Sequence, residues 1–258
     1  MRVVTDAWAE ETLGAWASSP PPTLVDGAVH VWCVRVDTPV SEEDWSLLSP
    51  EEQAHARRFH FERDRQRYVA SHGTLRRLLG DYAGIPGAQL EFDTGDFGKP
   101  ALRGAGALEF NLAHSGDIAL IAISRDRALG IDVERWQSDI EHMTLAEHFF
   151  SGAERDALRV LDEIEERVAC FFAAWSRKEA YLKASGHGVT RGLDHFDVSL
   201  APGQTARLIA DRLDTAATER WVMCALAPAA GYSAALVAAA PVSEILLFDA
   251  PTPAHLQR

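Results

Sequence analysis

FNLAHSGDIALIAISRDRALGIDVE, residues 110–134, reads as three strands joined by two turns, with His114 on the first, polar turn. The last strand carries Asp132 and Glu134 two residues apart. A strand returns its side chains to the same face every second residue, so both carboxylates leave one face. Two like charges held side by side repel, and a divalent cation is the simplest partner that would hold them there. Mg²⁺ suits the pair, because it binds through a few carboxylates and takes its remaining oxygens from phosphate and water.

Upstream of this stretch, Val29–Val36 alternates apolar and polar residues as a strand does. Two helix starts follow at Ser41 and Ser49; in the second, Ser49 caps, Pro50 takes the first helical position and Glu52 completes a capping box. The helical pattern runs on with a break near His60–Arg63, restarts at Asp64 and is stopped by Gly84-Ile85-Pro86. Short strands near Leu90–Asp93 and Leu102 lead into residue 110. Downstream, helices are expected at Thr144–Phe149, Gly152–Val160 and Glu163–Lys183, then five short strands between Asp197 and Phe248. The order strand, helices, strands thus occurs twice, which predicts an α+β chain of two similar halves, residues 28–127 and 128–248. A lead-in over 1–27 and a loose tail over 249–258 flank them. Asp132 and Glu134 lie just past the join, and ligands favour such clefts.

Hydrophobic residues make up 47% of the 258 and charged residues 24%, as in ordinary folded domains. No apolar run has the length of a membrane span. The N-terminus has no basic region followed by an apolar core. Cys33, Cys170 and Cys224 are scattered in apolar surroundings, which fits neither a zinc motif nor a disulfide framework and points to a reducing cytoplasm. The net charge of −13 argues against nucleic-acid binding through a basic surface. Within that acidic chain, arginines 57, 58, 63, 65, 67, 76 and 77 face only Glu62 and Asp64 between His55 and Arg77. Such an island is either a local anion site or a solvated helix face with intrahelical pairs.

A second informative stretch is WSRKEAYLK, residues 175–183, near the end of the longest predicted downstream helix. Glu179 and Lys183 stand four apart and so share a face. Alone they would be an exposed ion pair worth about 0.3–0.5 kcal/mol. Trp175, four residues earlier, places them at the border of the buried face. There the carboxylate could complete a metal site or accept a proton, and the ammonium could hold a phosphate oxygen.

FGKP (97–100), FNLAHSG (110–116), GIDVE (130–134) and WSRKEAYLKASGHGV (175–189) stand in the order and approximate spacing of the 4′-phosphopantetheinyl transferases. The chain resembles their large, two-halved, surfactin-synthetase-activating (Sfp-like) type over most of residues 29–240, in the KEA form of the last motif. The resemblance implies two α/β subdomains related by pseudo-twofold symmetry. It also implies a reaction: the phosphopantetheine arm of coenzyme A moves to a serine of an acyl or peptidyl carrier protein, with Mg²⁺, and adenosine 3′,5′-bisphosphate leaves. Motif for motif, it makes Asp132, Glu134 and Glu179 the metal ligands. Glu179 is also the base, and Lys183 contacts the diphosphate. His114 and Lys99 go to coenzyme A phosphates, and Arg67 to the 3′-phosphate. Two fused halves imply a monomer. Ala113 stands where many relatives carry serine, and Glu52 and His55 where some carry lysine.

The residues agree with that chemistry. A diphosphate and a 3′-phosphate call for cations and a metal in an otherwise acidic protein, and a serine hydroxyl needs somewhere to send its proton. A silent carrier-binding module would have no use for three carboxylates. A phosphoesterase would need a further base to activate water. The nucleophile-elbow pattern around Ser115 is absent, and GKP lacks the residues of a P-loop.

Overall fold

The computed structural model describes residues 16–17, 23–95, 98–104, 106–186, 188, 191–201 and 203–250. Most of the expected lead-in and tail, together with Phe97, lies outside the described residues. Ala28–Arg35 (β1) is buried along all but its last residue, as a strand covered on both faces must be. Helices α1 (Glu42–Leu47) and α2 (Pro50–Ala56) follow, each opened by a serine capping box, Ser41 with Asp44 and Ser49 with Glu52. Next comes α3 (Glu62–Ala83), which begins two residues before the expected Asp64 at a cap, Phe61, that offers no side-chain hydrogen bond. It ends at Gly84, whose φ of 68° is the left-handed turn that glycine adopts without a Cβ clash. A small hairpin, β2 (Phe92–Thr94) and β3 (Pro100–Leu102), leads to β4 (Leu108–Ser115), β5 (Ile118–Arg125) and β6 (Leu129–Arg135).

The second half runs through α4 (His142–Phe149), α5 (Gly152–Arg159) and α6 (Ile164–Ser185). Then come β7 (Phe196–Val198), β8 (Leu208–Asp211), α7 (Ala217–Arg220), β9 (Trp221–Leu226), β10 (Tyr232–Ala239) and β11 (Glu244–Asp249). The two larger sheets have the orders β11-β1-β5-β4 and β6-β10-β9, beside the two-stranded β2-β3 and β7-β8. Sequence order groups residues 244–248 with the second half, but their backbone pairs in parallel with β1, Ala28 opposite Glu244 through Cys33 opposite Asp249. β1 is apolar on both faces and would otherwise be an open edge.

The period-2 pattern sorts residues into layers. Val29, Val31 and Cys33 of β1 face Leu129, Ile131 and Val133 of β6 in a core between the sheets. Trp32 and Val34 turn the other way, onto Leu75, Leu78 and Leu79 of α3. Beyond the second sheet, Ala235 and Val237 pack under α6 with Phe171, Tyr181 and Leu182. The result is helix, sheet, sheet, helix, one helix outside each sheet. The sheets meet along a seam of their edge strands, β4 and β6. There side chains replace a backbone ladder: Ile131 N donates to Asn111 Oδ1 at 2.8 Å, and Arg135 N to Ser115 Oγ at 3.1 Å.

Candidate active site at the seam

On β6, the residues that alternate with Leu129, Ile131 and Val133 point away from the inter-sheet core and toward α6. These are Gly130, Asp132 and Glu134. Gly130 makes the close approach possible. A Cβ there would run into Ala180 O and Ala184 N and lie 2.8 Å from Lys183 Cβ. Two residues on, Asp132 meets α6: Lys183 Nζ donates to Asp132 Oδ1 at 2.6 Å and to Ile131 O at 3.3 Å. Asp132 is only 5% exposed, and its other oxygen, Oδ2, is buried without a hydrogen-bond partner among the described residues.

The electrostatics tie three carboxyls into one group. Burial pushes Asp132 up to about 7, with Lys183 opposing and Glu134 and Glu179 adding to the rise. Burial also raises Glu134, against the Ser115 hydroxyl and Lys183, while Glu179 adds to it. Glu179 is raised by burial and restrained by Lys183. One ammonium for three half-buried or buried carboxylates leaves the site short of positive charge.

The donor chemistry therefore fits Mg²⁺: hard carboxylate oxygens, one of them buried and bare. Among the described residues, no three such side chains are already gathered about a common point. Asp132 is turned to Lys183, and Glu134 accepts from Ser115 Oγ at 3.0 Å on Oε2.

The rest of the 175–183 stretch builds the helix into place. Lys178 is fully buried, pairs with Glu154 at 2.8 Å and donates to Leu193 O and Phe196 O. Arg177 donates to Ser199 O, and Tyr181 OH to Asp211 Oδ2 at 2.6 Å. Trp175 sits among Phe149, Phe150 and Phe171. So one face of α6 anchors the second half, and Glu179 and Lys183 are what remains facing the seam.

From the first half, His114 lies inside β4 opposite Ala119 and not on a turn. The turn falls to Gly116 and Asp117. Gly116 has a φ of 57°, and a Cβ on it would meet Tyr232 OH at 2.6 Å. Phe110 and Leu112 face α3, so His114, two residues further, faces the same way. Its imidazole is lowered by burial first and then by His72, Lys183 and Arg67, with Asp64 opposing. Those neighbours connect the α3 side to Lys183.

Arg67 pairs with Asp117 Oδ1 and lies 3.6 Å from Asp64. Lys99 Nζ donates to Leu129 O at 2.8 Å and is 3.9 Å from Glu109. Both cations are engaged with the protein in this state.

The arginine island proves to be divided. Arg76 is 2% exposed and binds Glu52 at 2.6 Å together with Gly87 O and Leu90 O. Arg77 pairs with Asp44 at 2.9 Å. Glu52 thus serves as both a helix cap and the counter-ion of Arg76. No local pattern signals the pairing with Arg76, nor the cross-strand bonds of Ser115 and Asn111. The glycine before Asp132 was the available signal for close strand–helix contact.

Two family models match the chain in tandem. One, described as 4′-phosphopantetheinyl transferase, N-terminal, matches residues 39–126; the other, the 4′-phosphopantetheinyl transferase superfamily, matches residues 128–237. The 4′-phosphopantetheinyl transferase HetI of Nostoc sp. is 41% identical over 201 residues, 75% of this chain and 83% of that one. This chain belongs to the 4′-phosphopantetheinyl transferase superfamily. Its two-part build is shared with Sfp of Bacillus subtilis, which is 28% identical over 176 residues, 67% of this chain and 77% of Sfp. A solved holo-(acyl-carrier-protein) synthase from Bacillus anthracis, in complex with coenzyme A, matches 43% of this chain and 94% of its own. Its identity is 26% and its TM-score 0.33, too loose a likeness to bear on the site.

Proposed function

We propose that this chain transfers the 4′-phosphopantetheine arm of coenzyme A to a serine of an apo acyl or peptidyl carrier protein, with the seam as its active site. The observation that carries the reading is the meeting of Lys183 with Asp132 at 2.6 Å, beside a bare buried carboxylate oxygen. Two motifs 51 residues apart in the chain converge there. Asp132, Glu134 and Glu179 would hold Mg²⁺; what that ion supplies when bound is neutralisation of charge on the phosphoryl oxygens.

The carrier's serine Oγ attacks the β-phosphorus of coenzyme A, and its proton passes to Glu179. The bond from that phosphorus to the bridging oxygen breaks, and adenosine 3′,5′-bisphosphate leaves with the oxygen. Glu179 suits the task because burial raises its pKa toward neutral, where a carboxylate is a stronger base. Lys183 offers an ammonium, held at the seam by Asp132, to the diphosphate. His114 and Arg67 serve the nucleotide phosphates from the α3 side, and Lys99 does so from the head of β6. Both halves of the site come from one chain, which supports a monomer, and Lys178-Glu179-Ala180 places the chain with the KEA branch of the family.

The test is intact mass. Apo carrier proteins incubated with the protein, coenzyme A and Mg²⁺ should each gain one phosphopantetheine, and a chelator should stop the gain. No gain on any carrier, with coenzyme A still bound, would reduce the chain to a binding module.

A further inference from the structure

We infer that Ser115 is a positioning residue for Glu134. It fixes that carboxylate for a divalent ion while bolting the two sheets together. The inference rests on the assignment of Glu134 as a metal ligand.

Ser115 closes β4 on the side that faces β6. Its hydroxyl accepts from Arg135 N at 3.1 Å and donates to Glu134 Oε2 at 3.0 Å. The direction of both bonds is forced. An amide N–H can only donate, so it takes a lone pair; an ionised carboxylate can only accept, so it takes the single hydroxyl hydrogen. Serine can make both at once, and alanine neither.

Asn111 does the same backbone work four residues earlier, on Ile131 N. Asp132 and Glu134 therefore lie between two side-chain bolts from β4. Only the second bolt also touches a carboxylate of the site. Partners of this kind, standing behind a metal ligand, set its orientation and its affinity.

Mn²⁺ binding to the protein without coenzyme A, followed by the loss of the free-ion signal in electron paramagnetic resonance, separates this role from simple bracing. Ser115→Ala should weaken Mn²⁺ by roughly 10- to 100-fold, and Ser115→Thr, which keeps the hydroxyl, should restore most of it. In a Glu134→Ala background, Ser115→Ala should cause no further loss. Wild-type affinity in Ser115→Ala, or an equal loss with and without Glu134, would overturn the inference. If Glu134→Ala itself leaves Mn²⁺ affinity unchanged, the ligand assignment falls and this inference falls with it. Should Ser115→Ala fold poorly by circular dichroism, the comparison of Ser115→Thr with Ser115→Cys decides the matter. The thiol is a weak donor, so only the threonine variant should keep wild-type affinity, and equal affinities would overturn the inference.

Discussion

At Gly130 a hydrogen in place of a side chain lets β6 lie against α6, and the distance from Asp132 to Lys183 depends on that contact. Gly130→Ala would drive a methyl into Ala180 O and Ala184 N, both backbone atoms that cannot rotate away. The variant should lose about 1–3 kcal/mol in urea denaturation and more of its activity than that loss explains; unchanged stability and turnover would mean that the two elements are not in firm contact. Arg67 allows a sharper chemical test. Arg67→Ala should weaken coenzyme A by about 10-fold or more in calorimetry, the scale of a charged hydrogen bond, and should barely change binding of the analogue without the 3′-phosphate. Equal weakening of both would move that role to another cation. At this scale periodicity puts Asp132 with Glu134, and Glu179 with Lys183, on shared faces, while only the resemblance of the motifs joins the two pairs. The sequence hides Ser115 and Glu52, whose partners come from other elements.

The α6 helix divides its labour, one face anchoring it and the other bringing Glu179 and Lys183 to the seam. Lys178 is its deepest anchor, 0% exposed and paired with Glu154 at 2.8 Å. Lys178→Met leaves Glu154 charged and buried, so it should cost about 3–5 kcal/mol. Replacing Glu154 as well should recover little of that in thermal melts, because Glu154 also accepts from Ser151 N at 3.0 Å and Val198 N at 2.8 Å, and both amides would be left bare. No cost for the single change would show that the pair is not desolvated as described.

Elements with local punctuation were legible. Ser41 and Ser49 cap α1 and α2 through residues three positions on, and Gly84 ends α3. The start of α3 was not, since Phe61 offers no cap, and neither was the placement of His114. Strand β4 continues through it because Gly116 and Asp117 can make the turn and His114 need not.

At the scale of the whole molecule, the two larger sheets share one core and carry a helix outside each, and the second half's last strand returns to the first sheet. That return depends on pairing between residues more than 200 positions apart, which no local pattern encodes. None of the described helices is long and apolar enough to cross a membrane.

The core of the first half also makes stability depend on pH. His30 is fully buried, with Nδ1 2.6 Å from Tyr82 OH and Nε2 without a partner among the described residues, and burial lowers its pKa to about 4. The unfolded chain takes up this proton near 6.5 and the folded chain only near 4. The unfolded state is thus favoured as pH falls through that interval. Stability from this group should be intact above 6.5 and decline by on the order of 3 kcal/mol by pH 4; His30→Gln should flatten that part of the profile in urea melts. An unchanged slope would place the acid sensitivity elsewhere.

The proposed reaction makes Glu179 the acceptor of the serine proton, and one comparison tests it most directly. In a single-turnover transfer assay with a carrier protein, Glu179→Gln should slow phosphopantetheine transfer by roughly 10²- to 10⁴-fold, while calorimetry shows coenzyme A bound within a few-fold of wild type. Transfer at the wild-type rate would contradict the account.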